Sequence, residues 1–304
     1  MEEAHGVVYS VLGGVSVASE PYASRVEPAS EVSKRDTDPA RRLEHTVEFL
    51  KPPLIEVACG VQFEPIGGWS TAHYGLFWKT LHSEYPRFED YPPLPRFSAK
   101  GRPEIELEFT PLPPLRRVYF IDQTGNFVIQ LQPSRFLHNW RRVSETDEYP
   151  KFEAAFGRFL HYWQKFENFL RVNGMGGPRL EMCELTYLNH IYGPDWRFPR
   201  DISKIVRVSD LAPITKALAE PIGVFVAFTS PLREGAGQLD VTIRSGRRTG
   251  DQMDVLVLEL TARGRPQDIE QDMGQWFQLA HDAIVLTFLS LTTEEAQVSW
   301  GRRS

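Results

Sequence analysis

The chain has 304 residues with 41% hydrophobic and 12% aromatic content, enough to fill the core of one large domain or two ordinary ones, which excludes a wholly disordered protein. Its 34 Lys and Arg against 40 Asp and Glu leave a formal charge of −6, which argues against a dominant phosphate-binding surface, because nucleic-acid affinity rests on clustered cations that displace counterions. The two cysteines, Cys59 and Cys183, form no CxxC pair, so neither a zinc site nor a disulfide framework is indicated and a reducing cytoplasm fits best.

The start of the chain carries Glu2 and Glu3 rather than a basic run, and no stretch reaches the roughly 18 apolar residues of a spanning helix, so neither a leader nor a membrane segment is expected. Residues 1–45 show no sustained period and only one apolar patch, Val7 to Val17, which predicts a mostly disordered or extended arm. Order is expected from Val47 onward. Leu54 to Phe63 predicts a first strand with Ile55, Val57, Cys59, Val61 and Phe63 on one face. Ser70 to Tyr85 predicts a helix, with Ser70 as N-cap, Tyr74, Phe77, Trp78 and Leu81 at helical spacing, and Pro86 as its stop. Eight of the 23 prolines fall between Pro86 and Pro114, predicting an extended loop around one strand, Ile105 to Phe109, that forms a lip over a groove. Val118–Asp122 and Phe127–Gln132 predict a hairpin. A long helix follows, its stripe of Phe152, Ala155, Phe156, Phe159, Trp163, Phe166 and Leu170 ending at Gly174.

The order of elements then recurs. Leu180 to Ile191 predicts a strand, Ser209 to Leu218 a weak helix, and Ile222–Thr229, Gln238–Arg244 and Asp254–Thr261 three further strands. A helix over Ile269–Leu291 carries Met273, Trp276, Phe277, Ala280, Ile284 and Phe288 on one stripe, and Thr292 with Glu295 resembles a capping box opening a last helix to Trp300. The expected fold is therefore α+β. After the 1–45 arm, two similar β-α-β-β-β-α halves, 46–178 and 179–304, are expected to form antiparallel sheets with the long helices packed on one side.

The run Phe127 to Arg142, containing Gln130-Leu-Gln132, Arg135-Phe136 and Asn139-Trp-Arg141, is followed by Tyr149-Pro150, by Tyr187-Leu-Asn-His-Ile191 and by Trp300-Gly-Arg302. Together with the opening Pro52-Pro-Leu-Ile-Glu-Val57, this pattern resembles a sporadically distributed bacterial protein family without an assigned activity, over roughly residues 50–302. The patchy distribution implies an accessory gene system, such as a defence cluster; it implies no chemistry.

The strongest polar constellation is Gln130, Gln132, Arg135, Asn139 and Arg141. The plainer reading is a solvated outer sheet face followed by a turn in which Arg135 and Asn139 tie down carbonyls; the sharper one is a ligand-binding row. In the strand from Leu180, Glu184 and His190 fall on one side, Tyr187 and Asn189 on the other. Glu184 is expected to pair with Arg135 or Arg141 structurally, or to leave the arginines free for an anion. His138, His190 and His281 lack metal-ligand spacing, and no phosphate loop, GxGxxG or GxSxG elbow is present, so neither cofactor nor metal is expected. Arg244, Arg247, Arg248, Arg263 and Arg265 are expected on hairpin loops, as solvated charge or a nucleic-acid contact.

The reading that follows is a non-enzymatic binding or accessory protein that engages a protein partner through its sheet face or proline-rich lip. The alternative is an enzyme or small-ligand binder using Gln132, Arg135, Asn139, Arg141, Glu184 and Asn189 in a cleft between the halves. The third is nucleic-acid binding through the arginine loops.

Overall fold

The structure is a computed structural model that describes residues 48–97, 115–194, 196–207, 219, 221–248, 251–265 and 269–303. The arm expected over 1–45, the strand expected over Ile105–Phe109 and the weak helix expected over Ser209–Leu218 lie outside the described residues.

The protein is α+β, built on a large antiparallel sheet. In chain order the elements are β1 (Glu48–Phe49), β2 (Leu54–Phe63), α1 (Thr71–Leu81), β3 (Arg87–Tyr91), β4 (Arg117–Ile121), β5 (Phe127–Gln132), β6 (Arg135–Arg141) and α2 (Phe152–Val172). They continue with β7 (Leu180–Ile191), α3 (Ile202–Ile205), β8 (Phe225–Pro231), β9 (Gln238–Arg247), β10 (Asp254–Gly264), α4 (Ile269–Leu291), α5 (Glu294–Ser299) and β11 (Arg302–Arg303). Among the described residues nine strands form one sheet in the order β3-β4-β5-β6-β2-β7-β10-β9-β8, while β1 and β11 make a separate two-stranded ladder.

The middle of the sheet is the antiparallel pair of β2 and β7, with Val57 opposite Tyr187, Cys59 opposite Leu185 and Val61 opposite Cys183. These six side chains are buried and share the face toward the helices. Successive strand residues point to opposite faces, so the apolar alternation of β2 needs a covering layer on one side. The long helices supply it. Phe166 of α2 packs on Phe63 and Phe136, and Phe77 of α1 packs on Phe120, Phe166 and Phe169. α4 meets α2 above the same face, where Phe277 lies 4.8 Å from Phe156 and 5.3 Å from Phe159, and His281 stacks on Phe152 at 4.2 Å. The exit of α2 is set by Gly174 at φ 70, with its own N–H bonded to the Arg171 carbonyl and that of Met175 to the Leu170 carbonyl.

Several boundaries differ from expectation. β6 is a strand where the sequence reads as a turn. Arg135, Asn139 and Arg141 alternate with Phe136, His138 and Trp140, and pairing on both sides, to β2 and β5, converts that alternation into a two-faced strand. β3 lies inside the expected loop and, among the described residues, is an edge strand paired only with β4. Arg247 lies on β9 and Arg263 on β10 rather than on loops, because both strands run past their expected ends, and Arg244 lies within β9. The last helix is capped by Thr293, whose hydroxyl accepts from the Ala296 N–H, not by Thr292, whose hydroxyl donates to the Phe288 carbonyl.

Because Phe277 is sealed between α2 and the sheet, Phe277→Ala should destabilise the fold by about 3–5 kcal/mol through lost burial and the cavity left behind. Thermal unfolding followed by circular dichroism measures this; an unchanged midpoint would contradict the packing described.

Candidate functional site

The sheet face away from the helices is polar, and its residues follow from the register. Gln62 of β2 stands opposite Arg135 of β6, and Arg135 also faces Gln132 of β5; Gly60 stands opposite Glu184 of β7, and Glu184 faces Arg263 of β10. Gln130, Asn139 and Arg141 share that face by the same alternation. It is not a solvated face: Gln62, Gln130, Gln132, Arg135, Asn139 and Glu184 are all buried. A buried polar group without a partner costs about 1–3 kcal/mol, so each side chain's partner matters.

Two of those partners are backbone. The Leu94 N–H donates to Gln132 Oε1 at 2.9 Å, and Gln132 Nε2 donates to the Leu94 carbonyl at 3.0 Å. Three residues on, the Phe97 N–H donates to Gln62 Oε1 at 2.9 Å and Gln62 Nε2 donates to the Phe97 carbonyl at 2.8 Å. A primary amide carries a carbonyl and N–H donors, so each glutamine reproduces the two-bond exchange that one strand residue makes with another. The segment Pro92–Phe97 thus lies across the sheet as a strap held by its main chain. Its side chains are held as well. Arg96 Nη2 reaches both Glu181 carboxylate oxygens, at 2.7 and 2.8 Å, and the Phe97 ring faces the guanidinium carbons of Arg135 at 4.9 Å and Arg263 at 4.1 Å.

Beneath Phe97 lies a chain of charges. Arg263 Nε donates to Glu184 at 2.6 Å and its Nη1 donates to Asp240 at 2.8 Å, while Arg135 Nη2 stands 3.8 Å from Glu184. Burial works against the Glu184 carboxylate, but the charges of Arg263 and Arg135 together with the Arg263 hydrogen bond hold it below its ordinary value. Burial likewise lowers Arg135, with Glu184 opposing the shift. For Arg263 the attraction of Glu184 and Asp240 outweighs burial, and its affinity for the proton rises. Two cations and two anions neutralise one another here, which is the condition for keeping them out of water.

The residues singled out from sequence fall into separate groups. Gln132, Arg135 and Glu184 meet at the strap and the charge chain, and Gln130 joins at the flank by accepting from Arg117 at 2.8 Å. Asn139 lies further along, donating to Glu56, whose carboxyl burial pushes above its ordinary value. Arg141 does not reach Glu184; its Nε donates to the Gly125 carbonyl at 2.7 Å. Tyr187 is on the helix side, bonded to the Tyr149 hydroxyl at 3.0 Å and His281 Nδ1 at 2.8 Å, and Asn189 donates to the Leu258 carbonyl at 3.1 Å. The eight residues therefore do not converge on one cleft.

Among the described residues no group of three His, Cys, Asp or Glu side chains is placed to hold a metal ion. His138 is bonded through Nε2 to the Tyr85 hydroxyl at 2.9 Å and is pushed down to about 3 by burial, while His190 falls to about 4 through burial and the charges of Arg244 and Arg248.

Sequence reasoning passed over Gln62, Arg96 and Phe97, and set Arg263 on a hairpin loop. For two of them the signal was present: Gln62 alternates with the apolar face of β2, and Glu259, Thr261 and Arg263 alternate with Leu258, Leu260 and Ala262. No local signal marks Arg96 or Phe97, which act through contacts with Glu181, Arg135 and Arg263 far along the chain.

Protein-family models give no match to this chain, and a search of curated proteins gives none either. The family resemblance therefore rests on the residues quoted for it.

Removing the Glu184 carboxylate leaves two guanidiniums buried, so Glu184→Ala should cost about 3–5 kcal/mol in urea unfolding at neutral pH. The sign of the pH dependence follows from the lowered carboxyl: its stabilisation is present above the ordinary carboxylate value of 4.5 and is lost as pH falls through the folded value. The native chain should therefore lose more stability than Glu184→Gln between about pH 6 and about pH 3. Equal losses would show that the carboxylate is not held in this way.

Proposed function

We propose that this chain is a binding or accessory protein rather than a catalyst, and that its polar sheet face serves protein recognition. The observation that carries the reading is the pair of glutamine amides, Gln62 and Gln132, that grip the main chain of an extended proline-bounded segment. Main-chain pairing combined with a few side-chain anchors is the general way in which extended peptides are recognised. The anchors are Glu181 for an arginine and the Arg135 and Arg263 guanidiniums for an aromatic ring. The polar side chains of this cluster are committed to holding protein and to each other. The partner is then a protein with an extended segment that docks on or beside the strap.

The family resemblance supports a partner encoded in the same bacterial gene system, such as a defence cluster. The cysteines, both unpaired and buried, fit a reducing cytoplasm. We further read the chain as two related halves, 46–178 and 179–304. In support, each half opens on a central strand, β2 or β7, brings its last sheet strand, β6 or β10, back beside it, and closes with a long helix, α2 or α4. The first half carries one strand more than the second.

Affinity purification of the tagged chain from its native host should retrieve a protein in stoichiometric amount. The double variant Gln62→Ala and Gln132→Ala should lose it while keeping its circular dichroism spectrum. Absence of any partner from both samples, or equal retention by both, would reject the reading.

A further inference from the structure

The two edges of the sheet differ. A sheet edge presents unpaired N–H and C=O groups, and monomeric proteins guard such edges with charge. β3 is guarded in this way, carrying Arg87, Glu89 and Asp90 in its five residues. β8, the other edge among the described residues, reads Phe-Val-Ala-Phe-Thr-Ser-Pro without a single charged side chain. It exposes apolar surface besides: Phe225 is 69% exposed and Phe228 40%, with Ile222 fully exposed just ahead of the strand.

Its free groups can be assigned. The Ser245 N–H donates to the Val224 carbonyl and the Leu232 N–H to the Gly237 carbonyl, so the even-numbered residues of β8 turn their main-chain groups toward β9. Phe225, Ala227, Thr229 and Pro231 therefore point theirs outward. The proline sits at an outward position, where its missing N–H breaks no bond to β9.

We propose that β8 pairs antiparallel with β8 of a second copy of this chain about a twofold axis at Ala227, carrying the sheet across two subunits. In that register Ala227 faces its own symmetry mate and Phe225 faces Thr229 of the other copy, so every outward N–H of Phe225, Ala227 and Thr229 meets an outward carbonyl. Pro231 falls opposite Gly223, past the strand end, and serves only as an acceptor. On the helix side, where Val226 and Phe228 stand opposite the core residues Ile243 and Val241, each Phe228 comes to rest against Val226 of the mate. On the other side the neighbours are Phe225 and Thr229, so no like charges meet. The same patch thus complements itself, as a twofold interface requires, and the axis hides the apolar side chains that a lone edge leaves in water.

Light scattering coupled to size exclusion tests this on the full chain. The native protein should run at twice its 34.8 kDa, and Ala227→Lys, which places two ammonium groups at the axis, should run at 34.8 kDa with an unchanged circular dichroism spectrum. Ala227→Cys should form a disulfide-linked dimer under mild oxidation, because directly opposed residues bring their Cα atoms to about 5.5 Å, within disulfide reach. Glu89→Cys on the guarded edge should not. A monomeric native chain, a dimer that survives Ala227→Lys, or cross-linking at Glu89→Cys equal to that at Ala227→Cys would overturn the proposal.

Discussion

The antiparallel ladder between β2 and β7 is the constraint on which the rest of the architecture depends. Its two strands lie side by side in the centre of the sheet, so both of their edges are paired and all strands toward β3 or toward β8 are placed relative to them. On the other side of β2, its pairing with β6 demands close approach. At Gly60 an added Cβ would lie 2.7 Å from Leu137 Cγ and 3.0 Å from the Phe136 carbonyl oxygen, so this position takes no side chain. Above the ladder α2 and α4 come together through Phe156, Phe159 and Phe277, and their contact closes one core over both arms of the sheet.

Once one face of that ladder is committed to the helices, the alternation of the strands forces the other face to be assembled from the remaining residues. These are Gln62, Arg135, Glu184 and Arg263, and removing them from water requires partners for each. The strap supplies some partners through the main chain of Leu94 and Phe97, and the charges supply the rest. The Phe97 ring completes the arrangement by covering two guanidiniums whose charge is already balanced by Glu184 and Asp240. The result is a face that holds an extended segment of its own chain by main-chain pairing, the observation behind the proposed recognition of a protein partner.

Part of this site was legible in advance. Gln130 and Gln132 sit in an unambiguous strand, and a pairing of Glu184 with Arg135 or Arg141 follows from charge. Arg141 was an equally good candidate for Glu184 by that criterion; only the register, which sets Glu56 rather than Glu184 opposite it, separates the two. Arg263 was set on a loop because Ala262 and Gly264 beyond Thr261 have weak strand propensity, and the extension of β10 over them depends on neighbours β7 and β9 on both sides. Gln62 was visible as a polar residue on the far face, but a partner that is main chain from another segment has no sequence signature.

The sequence alone determined the α+β class, the apolar stripes of α2 and α4, and the positions of β2, β7 and the β4–β5 hairpin. Each of these depends on interactions within a few residues, through periodicity, proline stops and glycine exits, and so is written locally. Tertiary structure decided that the strands form one sheet, that β6 is a strand instead of a turn, and that charge meets charge at Arg135, Glu184 and Arg263. Those outcomes depend on which strands become neighbours and in what register, and a shift of one residue would turn the same side chains to the opposite face.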